Sequence, residues 1–234
     1  MNWLRLFGRA PALSAGQAAN LAAHHARPVV AGSSSFDNLR FVVVDVETTG
    51  LNPYTDRLIS IGAITVASHK VRLDESFEVV LRQSQASTRN NILIHGIDGT
   101  TQLDGLEPTA ALLAFLDFTG QAPLVGFHAG FDRTVINRAC KQILGCTLTN
   151  AWLDLAYLAP ALFPEPGNTL PQQGLDEWLH RFSINNDARH NALADALATA
   201  QLLQVVLAQA AVAGQDTLEN LLQVQQEQRW LRQL

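Results

Sequence analysis

The chain has 234 residues, 47% of them hydrophobic and 16% charged, which is enough apolar material for one domain with a sizeable core plus extensions. The formal net charge is −5 and no block of lysine and arginine is present, which excludes a protein that holds nucleic acid through a basic stretch of its sequence. If the substrate is a polyanion, metal ions must supply much of the positive charge.

The two cysteines, Cys140 and Cys146, exclude a disulfide framework and favour a reduced, cytoplasmic protein. No run of 18 apolar residues occurs, so we expect no membrane-spanning segment. The apolar start of the chain is interrupted by Arg5 and Arg9, and we therefore expect no signal peptide there.

Residues 1–38 are predicted to form an N-terminal extension and linker. Alanine-rich helical sequence around Ala15 to Ala26 gives way to AGSSS, a flexible stretch from Ala31 to Ser35. Near the start, Trp3 to Phe7 resembles the short hydrophobic peptides that bind sliding clamps of DNA replication, but lacks the leading glutamine of that motif. The alternative is a simple amphipathic start.

The first predicted strand begins with the apolar run Phe41 to Val44, whose composition is typical of a strand covered on both faces. Asp45 and Glu47 follow two residues apart, so their side chains point to the same face. Two adjacent carboxylates beside a buried strand repel each other and lose hydration, and a divalent cation is the usual compensation. The alternative is an ordinary strand end with two solvated acids.

Alternating and helical periodicities predict the remaining elements. A hairpin of two strands is expected first, then a polar loop, and then strands that alternate with helices. The predicted strands are 58–67, 71–81, 123–127 and 147–153; the loop is 84–105; the helices are 109–118, 131–144, 154–162, 175–182, 192–211 and 217–234.

Three further residues complete a set with the chemistry of a metal-dependent hydrolase. Asp132 lies in the first turn of a helix at the carboxyl end of a strand, where ligands gather in α/β sheets, although it would also complement the helix dipole. Asp195 lies on a mostly apolar helix face and so should point inward. His190 precedes that helix, where it is either a cap or solvated, or a base that deprotonates water. Four acids and one histidine suit a two-metal site.

At these residues the sequence resembles the DEDDh group of 3′–5′ exonucleases. This is the DnaQ-like family, which includes the proofreading epsilon subunit of bacterial DNA polymerase III and ribonuclease T. DVETTG, from Asp45 to Gly50, is similar to the first exonuclease motif, HAGFD, from His128 to Asp132, to the second, and HNALAD, from His190 to Asp195, to the third. Ile94 to Ile97 resembles the substrate-side loop of the family. The resemblance covers about residues 39–211.

The resemblance implies an α/β, ribonuclease-H-like fold, which is a five-stranded mixed sheet with one antiparallel strand, flanked by helices. The predicted order of a hairpin followed by alternating strands and helices fits this fold independently. We expect the exonuclease domain to span residues 39–212 and a C-terminal helix to follow in residues 213–234.

The resemblance also implies roles for individual residues. Two divalent cations, Mg²⁺ or Mn²⁺, would be held by Asp45, Glu47, Asp132 and Asp195, with Asp132 acting through water; His190 would be the general base, and Thr48, His95 and Phe131 would contact the terminal nucleotide. The implied activity is removal of nucleoside 5′-monophosphates from the 3′ end of single-stranded DNA.

The exonuclease of single-stranded DNA is one of three hypotheses that stay open at this point. The same chemistry would serve an exoribonuclease or an oligonucleotide-degrading enzyme, and a non-catalytic nucleic-acid-binding subunit would keep the fold alone. The second motif often carries asparagine where this chain has His128, and proofreading relatives often carry an acid at the position of Asn90. These departures put polymerase-type proofreading in doubt, although a polymerase or sliding clamp is retained as a candidate partner.

Overall fold

A five-stranded mixed sheet forms the centre of the computed structural model, which describes residues 13–164 and 173–233. The strands are β1 (Arg40–Thr48), β2 (Leu58–Ala67), β3 (Lys70–Val80), β4 (Leu124–Gly126) and β5 (Trp152–Asp154). Their order in the sheet is β3-β2-β1-β4-β5, and only β2 runs antiparallel to its neighbours. The predicted five-stranded sheet with one antiparallel strand is confirmed.

Nine α-helices surround or extend this sheet within the described ranges. They are α1 (Ala15–His25), α2 (Arg89–His95), α3 (Gly99–Leu103), α4 (Pro108–Thr119), α5 (Gly130–Ile143), α6 (Leu155–Leu162), α7 (Leu175–Arg181), α8 (Ala192–Val212) and α9 (Leu218–Leu231). The predicted helix positions agree with α1 and α4 to α9 within a few residues. The clamp-like segment Trp3 to Phe7 lies outside the described residues.

The segment predicted as a polar loop, residues 84–105, instead contains two short helices. The Thr88 hydroxyl accepts the Asn91 N–H at the start of α2, and Gly96 ends that helix in a left-handed conformation, with φ +72°. The Asp98 carboxylate caps the start of α3. Both helices are short and begin with polar capping residues, so the segment looks like a loop in the sequence. A helical period is recognised only over longer windows than these helices offer.

The strand predicted from residue 147 begins only at Trp152, so its first part was predicted wrongly. Asn150 donates side-chain hydrogen bonds to the carbonyls of Gly120 and Ala122 at 3.0 and 2.8 Å, and the Leu148 N–H donates to the Asn137 side chain. Residues 148–150 are therefore held by hydrogen bonds that involve side chains and are not part of the β-sheet.

Two apolar layers cover the two faces of the sheet, and β1 contributes to both. Phe41 and Val43 point into the layer that contains α6 and α8, whereas Val42 and Val44 point into the layer that contains α4 and α5. This double coverage is why the run is continuously apolar. Among the described residues, α8 alone is long and apolar enough to cross a membrane, and it lies here against the sheet as a core helix.

The C-terminal helix α9 packs on α6 and β5, and Leu218 and Leu221 are buried. The side chain of Gln225 also completes the outer edge of β5, because its oxygen accepts the Asp154 N–H at 2.6 Å and its amide donates to the Trp152 carbonyl at 3.2 Å. One amide side chain thus supplies the two hydrogen bonds that a sixth strand would make.

Candidate active site

The carboxyl end of β1 presents two acids to the α8 side of the sheet. Asp45 and Glu47 alternate with the buried Val46, as the period of a strand requires. Asp45 pairs in register with Gly62 of β2. A Cβ added to Gly62 would lie 2.2 Å from the backbone of Ala192, so only glycine lets the first turn of α8 rest directly on the sheet beside Asp45.

This close approach brings Asp195, in the first turn of α8, to the acids of β1. Ligand oxygens of Asp45, Glu47 and Asp195 all lie within 4.8 Å of one another, and we call these three residues the carboxylate cluster. Asp195 is 4% exposed, as its position on an apolar helix face predicted. The structure therefore brings together the acids of the first and third motifs.

Asp132, from the first turn of α5, lies beside the carboxylate cluster and is buried. Its negative charge is one of the causes that raise the pKa values of Asp45 and Glu47, which places it close to both. It is not among the three acids whose oxygens converge. This position suits a supporting role beside a metal better than that of a principal ligand.

Crowding of partly and fully buried acids disfavours their ionised forms. The pKa of Asp45 is raised well above its usual range by burial and then by the charges of its acidic neighbours. Burial, followed by the charge of Asp195, raises the pKa of Glu47 to about 8. Burial also raises the pKa of Asp132 to about 7. Such a site gains free energy from a cation that compensates the charges.

Asp195 is held in place by three donors that the sequence motifs do not reveal. They are the side chain of Asn186 at 2.5 Å, the guanidinium of Arg189 at 2.5 Å and the backbone N–H of His190 at 2.9 Å. Arg189 also forms an ion pair with Asp176 at 2.7 Å. The arginine therefore offsets part of the cluster's negative charge and fixes one of its acids.

His190 adopts a left-handed conformation, with φ +64°, immediately before α8. Asn191 then caps the helix by accepting the Ala194 N–H at 2.9 Å. His190 lines the same cleft as the carboxylate cluster, and the cleft has a volume of about 630 Å³. The histidine of the third motif thus stands in the open part of the site, where a substrate could meet it.

Of the three residues expected to contact the terminal nucleotide, two line the cleft and one is buried. Thr48 and Phe131 line the cleft. His95 is only 4% exposed, and both ring nitrogens are bonded: Nδ1 accepts the Ile97 N–H and Nε2 lies 2.9 Å from Asn91 Oδ1. Because the Nδ1 atom accepts, Nε2 carries the proton and donates to Asn91.

Asn91 extends this hydrogen-bonded chain to the strand that carries the acids. Its amide donates to the Thr48 carbonyl at 2.9 Å, and Asn91 itself lines the cleft. The arrangement connects His95 to β1 through Asn91, and His95 itself is not among the residues that line the cleft. The sequence offered no signal for Asn91, because its partner Thr48 is 43 residues away.

His128, the departure in the second motif, also lines the cleft and has φ +60°. Its backbone N–H donates at 2.9 Å to the buried carboxylate of Asp154, at the end of β5. Asp154 also caps α6 by accepting the Ala156 N–H at 3.0 Å. A buried acid that the sequence analysis passed over therefore shapes the turn that leads to Asp132.

Comparisons with known proteins found a matching family model and similar curated proteins. An exonuclease family model, RNase T, matches residues 42–203, which include all five residues with predicted chemistry. The PolC-type DNA polymerase III of Thermotoga petrophila is 30% identical over 72% of this chain, and the DNA polymerase III subunit epsilon of Rickettsia felis is 30% identical over 70%.

The chain spans 12% of the length of the PolC-type relative and 72% of the epsilon relative. Among solved structures, E. coli exonuclease I in a complex with single-stranded DNA gives a TM-score of 0.61 at 22% identity, over 74% of this chain and 41% of that one. Exonuclease X in complex with 5′ overhanging duplex DNA gives 0.61 at 19% identity, over 79% of this chain and 99% of that one. The fold is shared with both, and the chain belongs to the DnaQ-like, RNase T exonuclease family.

Proposed function

We propose that this protein is a metal-dependent 3′–5′ exonuclease that hydrolyses the terminal phosphodiester bond of single-stranded DNA and releases nucleoside 5′-monophosphates. The observation that carries the proposal is the carboxylate cluster, whose oxygens converge within 4.8 Å in an open cleft beside His190. The single-stranded DNA in the complex of exonuclease I supports this choice of substrate.

The donor set fits a divalent cation, and we propose that two ions, Mg²⁺ or Mn²⁺, bind there. Carboxylate oxygens are the ligands that hard cations prefer. Burial first, and then the charges of neighbouring acids, raise the pKa values of Asp45 and Glu47, and bound cations would offset both effects. Asp45, Glu47 and Asp195 would hold the ions directly, and Asp132 would support them through water. When bound, the ions would supply Lewis-acid stabilisation of the charge that develops on the scissile phosphate.

His190 is the general base in this proposal. A neutral imidazole at the cleft wall can accept a proton from the attacking water, and the bond from its backbone N–H to Asp195 fixes its position relative to the cluster. Asn191 holds the first turn of α8 behind it. The base and the acid ligand thus belong to one rigid helix start.

Apolar side chains at the mouth of the cleft would receive the terminal base. Leu51 is 92% exposed and Ile94 is 56% exposed, and both line the cleft together with Phe131. Apolar and aromatic surfaces bind the faces of unstacked bases without regard to sequence. Thr48 lines the same cleft and would contact the sugar or phosphate of the terminal nucleotide.

The test is product analysis with purified protein on matched DNA and RNA oligomers labelled at either end. We expect release of nucleoside 5′-monophosphates from the 3′ end with Mn²⁺ or Mg²⁺, none in EDTA, and faster hydrolysis of DNA. Faster hydrolysis of RNA would make the protein an exoribonuclease. Binding of either oligomer in EDTA without hydrolysis in metal would identify a binding subunit instead.

A further inference from the structure

A second groove, of about 340 Å³, lies between the start of β2, the end of β3 and α5. Three arginines line it, Arg57, Arg82 and Arg138, and we call it the arginine groove. They are far apart in the sequence and form no basic run. The fold therefore builds a concentration of positive charge that composition did not reveal in a chain of net charge −5.

Each of these arginines is fixed by a main-chain carbonyl. The Arg57 guanidinium donates to the Gln85 carbonyl at 3.2 Å, Arg82 donates through Nε to the Gly105 carbonyl at 3.1 Å, and Arg138 donates to the carbonyl of Asp56. In the described part of the chain, none of the three has a carboxylate oxygen within 4.0 Å. Their charges are thus held in position, and within residues 13–164 and 173–233 no ion pair neutralises them.

The acids nearest in sequence to the groove lining are committed to other bonds. The carboxylate of Asp56 accepts from the Thr49 hydroxyl and the Asn52 N–H. The carboxylate of Glu107 accepts from Thr109 and from the Ala110 N–H at the start of α4, and it feels the charge of Arg82 without forming an ion pair with it. Guanidinium groups that main-chain carbonyls already orient are well suited to phosphate oxygens, because less ordering is needed when the anion binds.

The groove adjoins the catalytic cleft across the turn of residues 49–57. Thr49 and Arg57 close this turn with two hydrogen bonds, of 3.0 and 2.9 Å. On α5, Phe131 in the cleft and Arg138 in the groove lie seven residues apart and so share one helix face. Their separation is about 10.5 Å along the helix, or about three nucleotides of a B-form strand.

We infer that the arginine groove binds the phosphates of the substrate strand upstream of the bond that is hydrolysed. This inference rests on the proposed function, because it takes the 3′ end to lie in the cleft. Cleft and groove together would hold a strand of four or more nucleotides. The carboxylate cluster would bind this strand through metal ions, and the groove would bind it through its arginines. The groove then supplies affinity for longer strands while the chemistry stays in the cleft.

The test compares a DNA dinucleotide, which is too short to reach the groove, with a 12-nucleotide strand. For Arg57→Gln/Arg82→Gln we expect unchanged hydrolysis of the dinucleotide. The KM for the 12-mer should rise roughly fivefold per arginine at constant kcat. The slope of log affinity against log salt should become shallower by about 1.4, at ~0.7 per lost phosphate contact.

Arg72→Gln is the control for the loss of one arginine and is compared with Arg82→Gln alone, because it removes an arginine from an ion pair with Asp74 in the β2–β3 hairpin, at the opposite end of these strands. This variant should leave the hydrolysis of both the dinucleotide and the 12-mer unchanged. If the double variant unfolds at a lower urea concentration than wild type, the comparison is made with the exposed Arg82→Gln alone. Arg57→Lys/Arg82→Lys keeps both positive charges and should show the wild-type salt dependence.

Equal losses on dinucleotide and 12-mer would overturn the inference, since the arginines would then act only by supporting the cleft. Unchanged kinetics on both substrates would overturn it as well. Failure of the proposed function is distinguishable, because wild type would then hydrolyse neither substrate. Anisotropy of a labelled 12-mer in EDTA would still report whether the double variant binds more weakly.

Discussion

Replacing Glu47 by glutamine should stabilise the metal-free protein and abolish its activity. Burial and the charge of Asp195 raise the pKa of Glu47 to about 8, whereas in the unfolded chain it titrates near 4.5. Below pH 4.5 both states are protonated. Between pH 4.5 and 8 only the unfolded chain releases the proton, so the free energy of unfolding falls as pH rises.

The magnitude follows from the size of the shift. At 1.36 kcal/mol per pKa unit, the loss for Glu47 is about 3 kcal/mol at pH 7 and approaches about 5 kcal/mol above pH 8. Glutamine does not titrate, so the variant escapes this loss. With an m value of about 3 kcal/mol/M, the urea midpoint in EDTA at pH 7 should rise by about 1 M.

The assay is urea unfolding in EDTA at pH 5, 6, 7 and 8, repeated with Mn²⁺. The gap between Glu47→Gln and wild type should widen with pH, and Mn²⁺ should stabilise wild type more than the variant. Glu78→Gln, an exposed change on β3, should stay within about 0.5 kcal/mol of wild type. A Glu47→Gln variant whose stability tracks wild type at every pH would refute the reasoning.

Three further changes probe the parts around the carboxylate cluster. His190→Ala should lower kcat by ~10²–10⁴-fold while Mn²⁺ binding, measured by calorimetry, is kept; full activity would remove its role as base. Asn91→Ala removes the bond to the Thr48 carbonyl and should raise KM for oligonucleotides, and an unchanged KM would show that this bond does not position the cleft. Gln225→Ala should cost about 1–3 kcal/mol in urea unfolding by leaving the edge of β5 unbonded, whereas the exposed Gln226→Ala should cost nothing measurable; equal stabilities would contradict this account.

Local patterns were sufficient to predict the elements that carry the chemistry. The apolar run from Phe41 to Val44 indicates a buried strand, and the helical periodicity sustained along α8 indicates a long core helix. Both patterns are strong because each element is buried against a large core. The positions of Asp132 and Asp195 in first helical turns followed from the same patterns. Asp132 reaches the carboxyl edge of the sheet because β4, which leads to it, runs parallel to β1, whereas Asp195 reaches that edge because the first turn of α8 packs on Gly62.

Other features depend on contacts that are distant in sequence, and periodicity does not report them. Gly62 reads as an ordinary glycine in a strand until α8 is seen lying against it. The ring of His95 turns inward because Ile97 and Asn91 bond its two nitrogens. The arginine groove draws on three separate segments, so only the folded chain brings its charges together.

The most direct test of the central claim is a time course with a 20-nucleotide single-stranded DNA labelled at its 5′ end, with Mn²⁺, for wild type and Asp45→Ala. For wild type we expect a ladder that shortens by single nucleotides from the 3′ end. EDTA should stop it, and Asp45→Ala should abolish it because the variant lacks one acid of the carboxylate cluster. A ladder that persists in Asp45→Ala, or wild type that leaves the strand intact with Mn²⁺, would contradict the account.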